Sequence, residues 1–210
     1  MYLSRTPDFV KNAFPDFVWS IPSNSREIFL TFDDGPITGV TEFVLETLQK
    51  YEAKATFFCV GSNIEKNPEL FERIQQEGHA IGSHSQDHLS GWASDNQEYI
   101  DNVHTAANLS KSKLFRPPYG RIKLSQAKQL KKDYEIIMWD VLSGDFDANL
   151  SVEKCKENVI KNASSGSIIV FHDNEKSFER LQKVLPTTLE YFASQSYTFK
   201  SITLDRLHVS

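Results

Sequence analysis

The chain is predicted to fold as an α/β domain, a parallel sheet flanked by helices and either closed as a barrel or left open. Three observations carry that expectation. Short runs rich in β-branched and aromatic residues alternate about seven times with amphipathic segments of helical period. At 210 residues the chain has the length of one domain with a sizeable core. Clusters of Asp, His and Arg directly follow the apolar runs, and working residues of parallel α/β folds gather at the C-terminal ends of the strands.

Residues 1–26 read as an N-terminal extension packing on a domain that occupies 27–210. Residues 27–32 (EIFLTF) form the first expected strand, and Val40, Phe43, Val44, Leu48 and Tyr51 mark the helix after it. Residues 55–60 (ATFFCV) are the second strand. Asn67-Pro68 then reads as a helix start, with Leu70, Phe71 and Ile74 on one face and Gly78 at its end. A short strand at 80–82 precedes a polar loop and a helix near 97–109 bearing Ile100, Val103 and Ala107. Leu114–Phe115 is a brief strand, followed by a helix near 124–132 and a strand over 134–139. Ser151 is a helix cap before Val152, Cys155 and Val159, and residues 167–171 (SIIVF) are a buried strand. Leu181, Leu185, Leu189 and Phe192 define the last helix, where Pro186 marks a kink or the true start; residues 197–202 close the series.

Composition excludes several roles. A net charge of -5 without any run of Lys or Arg argues against nucleic acid as partner. No stretch approaches the roughly 20 apolar residues of a membrane span. Pro7, Asp8, Lys11 and Asp16 interrupt any secretory h-region, so the sequence as given reads as cytoplasmic, or as extracytoplasmic where a leader was removed. Cys59 and Cys155 are too few for a disulfide framework or a thiolate metal site, and Cys59 within ATFFCVG is expected to be buried. Nothing in the sequence sets the oligomeric state.

Five clusters carry possible chemistry. Asp33 and Asp34 precede Gly35-Pro36, either as an ordinary turn or as two carboxylates aimed from one sharp bend. His84 and His88, spaced i and i+4 as on a helical turn, face the same way and could grip one ion. Imidazole and carboxylate together suit zinc, cobalt, nickel or iron better than magnesium or calcium. Arg116 heads a double-proline turn (RPPYG) that could fix its guanidinium against a carboxylate. Asp140 and Asp145 follow the fifth strand, with Asp140 read as a simple loop acid; His172-Asp173 follows the sixth. Trp92, Tyr119, Trp139 and Phe146 could stack on sugar rings, with core packing the default for Trp139.

The ordered set TFDDGP (31–36), HSQDH (84–88) and RPPYG (116–120), with Asp145 and His172, resembles the polysaccharide deacetylases of the NodB-homology type, carbohydrate esterase family 4. The resemblance covers roughly residues 28–204 and implies a distorted (β/α) barrel of about seven parallel strands. It implies a deacetylase of a glycan containing N-acetylglucosamine, peptidoglycan- or chitin-like, dependent on one divalent metal, zinc first and cobalt or nickel next. By the same resemblance Asp34, His84 and His88 are metal ligands, Asp33 the general base and His172 the general acid. Arg116 would hold Asp33, Asp145 would tune His172, and the Tyr119 backbone would help bind the oxyanion. Phe146 stands where Trp is usual, Leu89 where Pro is common and Phe171 where Leu is common, which bears on the groove rather than the metal. Two rival expectations are an O-acetyl polysaccharide esterase, such as an acetylxylan esterase, and a non-catalytic glycan-binding descendant.

Overall fold

In a computed structural model that describes residues 3–207, a short helix, α1 (Asp8–Ala13), precedes the strand on which the domain is centred. That strand, β1 (Glu27–Asp33), is buried from Ile28 onward because both of its faces meet core. Ile28, Leu30 and Phe32 point outward into the cluster beneath the helices, whereas Phe29 points inward. Thr31 and Asp33 share the inward face with Phe29, so strand alternation alone carries Asp33 into the barrel mouth.

After β1 come α2 (Val40–Gln49) and β2 (Thr56–Cys59), whose Phe57 and Cys59 lie outside and Phe58 inside. Cys59 is buried as expected. An additional helix, α3 (Gly61–Lys66), stands ahead of α4 (Pro68–Gln76), which has Pro at its first turn. Strand β3 (Ala80–Ser83) leads through a loop to α5 (Asn96–Ser110), capped by Asp95, which accepts from the amides of Gln97 and Glu98. Next are β4 (Leu114–Phe115), a 3₁₀ turn at Pro118–Gly120, α6 (Leu124–Leu130), β5 (Glu135–Ile136) and β6 (Val141–Leu142). Helix α7 (Val152–Ile160) has the expected Ser151 cap, accepting from Lys154 N at 3.1 Å. Strand β7 (Ile168–His172), α8 (Glu175–Ser194), β8 (Thr198–Phe199) and α9 (Leu204–Leu207) complete the chain.

The strands pair in parallel in the order β5-β4-β3-β2-β1-β7-β6, with β8 added against the start of β1. The sheet curls into a distorted (β/α) barrel whose edge strands β5 and β6 do not pair with each other. The N-terminal segment lies along both edges. Val18 exchanges hydrogen bonds with Ile136 and Met138 (2.9 and 2.7 Å), while Thr6 N donates to Asp140 O and Leu142 N to Ser4 O (2.8 and 2.9 Å). Asp140 is therefore not a simple loop acid. Buried at 4% exposure, it pairs with Lys11 Nζ at 2.5 Å and accepts from Ser167 Oγ at 2.6 Å, tying this segment to the barrel.

Three expected elements differ, the closing segment 197–202 being a strand only over Thr198–Phe199. The strand predicted over 134–139 is reduced to Glu135–Ile136: Ile137 N still donates to Phe115 O of β4 (2.8 Å), Val18 pairs along the outer edge through Ile136 O and Met138 N, and Asp140 N then donates to Ile168 O of β7. Pro186 does not start the last helix. Helix α8 begins at Glu175 and continues through Pro186, held by Leu181, Val184, Leu185, Leu189 and Phe192 against the sheet.

Candidate active site

The barrel interior holds a charged pair. Arg116 is fully buried, and its guanidinium donates to Asp33 Oδ1 (2.6 Å), Thr31 Oγ1 (2.7 Å), Ile137 O (3.1 Å) and Met138 O (3.0 Å). Its Cζ lies 4.0 Å from the Phe58 ring centre. With its donors engaged on neighbouring strands, Arg116 gives Asp33 one position and one charged partner. Asp33 is 3% exposed and lies in register with Phe58 of β2 and His172 of β7.

One residue on, the chain turns sharply. Asp34 adopts φ 88°, which rotates its carboxylate away from that of Asp33 and toward the histidine loop. Asp34 Oδ1 lies 3.6 Å from His84 Nε2 and 3.1 Å from His88 Nε2. The His84 and His88 ring centres are 5.1 Å apart. The histidines do not sit on a helical turn, contrary to the i, i+4 expectation. Ser85 and His88 both have left-handed backbone (φ 63° and 55°), and this loop folds the two rings onto one point. Asn102 of α5 anchors it, its Oδ1 accepting from the amides of Gln86 and Asp87 while its Nδ2 donates to Asp87 Oδ2.

The three side chains suit a divalent cation. Their ligand atoms all lie within 4.8 Å of one another, and Asp34 Oδ1 is buried without a hydrogen-bond partner. Its fellow oxygen Oδ2 accepts from Asn174 Nδ2 at 2.5 Å. His84 Nδ1 meets the Arg116 carbonyl at 2.8 Å; a carbonyl only accepts, so Nδ1 bears the proton and Nε2 faces Asp34 with its lone pair. Burial, outweighing the pull of Asp33, brings the His84 pKa down to about 4, which keeps the ring neutral as a metal ligand must be. Burial would raise the Asp34 pKa, but the close approach of His88 and the pull of His172 and His84 hold it well below the usual carboxylate range. Carboxylate plus two neutral imidazoles is a borderline-soft donor set.

Across the mouth, His172 ends β7. Its Nδ1 meets Asp145 Oδ1 at 2.8 Å, and its backbone N–H donates to Asp145 Oδ2 at 2.8 Å. Burial alone would lower the His172 pKa, but the charge and hydrogen bond of Asp145, aided by Asp34 and Asp33, push it up to about 9. Asp145 is fully buried, its own carbonyl held by Arg180 Nε at 2.6 Å.

The sequence-read aromatics divide. Phe146 stands edge-on to His172 at 5.1 Å and Tyr119 edge-on to His88 at 4.6 Å, both at the rim. Trp139 is partly buried in two core clusters, and its ring closes the space beside Gly120, where a Cβ would lie 2.6 Å from it. Its default packing role holds.

Sequence reasoning missed the groups that hold the DDGP turn. Asp173, fully buried, accepts from Gly35 N at 3.0 Å and from Thr41 Oγ1 at 2.6 Å, and burial pushes its pKa up to about 8. Any side chain at residue 35 would collide with it, a Cβ falling 2.0 Å from Oδ2. Asn63 Nδ2 donates to Asp34 O, and Asn67 Nδ2 to Pro36 O. Asn67, expected as a helix cap, makes no side-chain cap bond and serves the turn instead. The only signal for Asp173 and Asn174 was their adjacency to His172.

A parallel barrel that gathers three side chains able to hold a cation, an arginine-held carboxylate and a carboxylate-backed imidazole at one end is the framework of a hydrolase. Known proteins narrow this. The sequence profile of the polysaccharide deacetylase family matches residues 20–136. A peptidoglycan-N-acetylglucosamine deacetylase of Bacillus cereus is 33% identical over 192 residues, covering 88% of this chain and 90% of that protein. The Listeria monocytogenes peptidoglycan-N-acetylglucosamine deacetylase PgdA is 36% identical over 193 residues, but this chain spans only 39% of its length. A crystal structure of a peptidoglycan N-acetylglucosamine deacetylase superposes with a TM-score of 0.82 at 29% identity, covering 92% of this chain and 94% of the other. The chain belongs to the polysaccharide deacetylase family, hydrolases of N-acetyl amide bonds. No helix among the described residues is long and apolar enough to cross a membrane.

Proposed function

We propose that this chain removes N-acetyl groups from N-acetylglucosamine residues of a peptidoglycan- or chitin-like glycan, with one divalent cation held by Asp34, His84 and His88. Zinc is the first expectation, cobalt and nickel the next. The observation that carries the proposal is the approach of Asp34 Oδ1, His84 Nε2 and His88 Nε2 to one another, one residue along the chain from Asp33. The names of the relatives support the glycan.

Bound there, a divalent cation supplies Lewis acidity, polarising an acetyl carbonyl and acidifying water. Asp33 takes the proton of the attacking water, its carboxylate kept in place by Arg116. Tyr119, with left-handed backbone (φ 60°) beside His88, offers its N–H to the oxyanion. An amine cannot depart as an anion. With its pKa near 9, His172 is protonated at neutral pH and hands its proton to the nitrogen as the carbon–nitrogen bond breaks, leaving acetate and a free amino sugar. Phe146, edge-on to His172 at the rim, is placed to border the bound sugar.

The test is acetate release from chito-oligosaccharides and from peptidoglycan glycan strands. Release should stop on chelation, return with added metal, and vanish in Asp33→Asn. Full release by the chelated protein, or by Asp33→Asn, would sink the proposal.

A further inference from the structure

Beside His88, two loops present aromatic side chains that no step above uses. Trp92 and Tyr119 are each 62% exposed, yet both are fixed from behind. The Trp92 indole donates to Ile122 O at 3.1 Å, Gly91 N donates to Arg121 O at 3.0 Å, and Gln126 Nε2 donates to Gly91 O at 3.0 Å. A Cβ at residue 91 would lie 2.7 Å from Arg121 O, so the two backbones approach as closely as glycine allows. Tyr119 rests edge-on against His88. Arg121 spans both rings, its Cζ 5.4 Å from the Trp92 centre and 5.8 Å from that of Tyr119. Arg121 is exposed, and its side chain makes no ion pair among the described residues, in a chain of net charge -5. Two exposed aromatics are thus held side by side as a ledge beneath a guanidinium that has no ion-pair partner among the described residues.

We propose that Trp92, Tyr119 and Arg121 form a subsite for a carboxylate-bearing sugar neighbouring the one that is deacetylated; the proposal rests on the function proposed above. The apolar face of a pyranose stacks on an aromatic ring, while a guanidinium lying over such rings keeps its N–H edge free for a bidentate grip on a carboxylate. In peptidoglycan the sugar alternating with N-acetylglucosamine is N-acetylmuramic acid, whose lactyl group carries a carboxyl, free or extended by a peptide with carboxylates of its own. Chitin has none. The ledge thus selects the acidic glycan over the neutral one.

Binding is the first readout, so that turnover is judged separately. Zinc-loaded Asp33→Asn protein is titrated calorimetrically with four tetrasaccharides: the alternating glycan with free lactyl carboxyls, the same bearing stem peptides, the same with its carboxyls reduced to alcohols, and chitotetraose. An acidic glycan should bind about two- to fivefold more tightly than the reduced form and chitotetraose. Which acidic form shows the preference identifies the lactyl or the peptide carboxylate as the anchor. Adding Arg121→Gln should erase that preference and leave chitotetraose unaffected, whereas adding Trp92→Ala should weaken all four. The proposal is overturned by equal affinity for acidic and reduced glycans, by a preference that survives Arg121→Gln, or by an equal loss on all four in Arg121→Gln. Acetate release by the unsubstituted chain is scored beside it: no release with the binding preference intact removes the proposed function and leaves the ledge standing.

Discussion

Replacing Arg116 with Met probes how the barrel interior is held together. The substitution keeps a long apolar stem over Phe58, but strands Asp33 at 3% exposure and orphans the carbonyls of Ile137 and Met138. Removing one partner of a buried ion pair costs about 3–5 kcal/mol, since the other charge stays buried and uncompensated. At about 2–4 °C per kcal/mol for a domain of this size, Tm should fall by roughly 6–20 °C. The assay is thermal unfolding of the metal-free protein at pH 7, followed by circular dichroism. Asp33→Asn combined with Arg116→Met removes the stranded charge and should recover part of the loss, which an additive pair of changes would not do. A single variant melting within about 2 °C of the parent, or a double variant melting below the single, would refute the reasoning.

Three further outcomes follow from the site. Asp145→Asn removes the charge that lifts His172, so burial prevails, the ring loses its proton at lower pH, and the alkaline limb of kcat should move acidward by at least about one pH unit; an unmoved limb removes Asp145 from that role. Asn174→Ser keeps a good cap for α8 but loses the donor to Asp34 Oδ2, so zinc affinity should drop about 10- to 100-fold while the metal-free Tm holds; unchanged affinity in a chelator competition contradicts this. His172→Ala should cost far more on amide than on ester substrates, because an alkoxide leaves with less help than an amine; equal losses would remove the general-acid assignment.

Much of the barrel was legible because strands such as β1 and β7 are apolar on both faces, so their runs stand out without knowledge of partners. The short edge strands were not. The outer edge of β5 is covered by Val18, on a segment more than 100 residues earlier in the chain, a contact no local pattern encodes. The reading of Pro186 as a helix start failed for a related reason: propensity argues for a break, but a face of buried leucines carries α8 through it. At the site, residue types announced the candidate ligands while the geometry stayed hidden. The spacing of His84 and His88 suggested a helix, yet left-handed Ser85 and His88 supply the convergence. Asp173, Asn174, Asn63 and Asn102 act through hydrogen bonds to distant loops, and an Asp or Asn beside a turn carries no mark of that task.

The most direct measurement is an equilibrium titration of zinc into the metal-stripped chain and into its His84→Ala, His88→Ala and Asp34→Ala forms. One tightly held ion per chain, lost or greatly weakened in each substituted form, is the predicted result. Retention of that ion at undiminished affinity in any of the three would contradict a cation site built from these side chains.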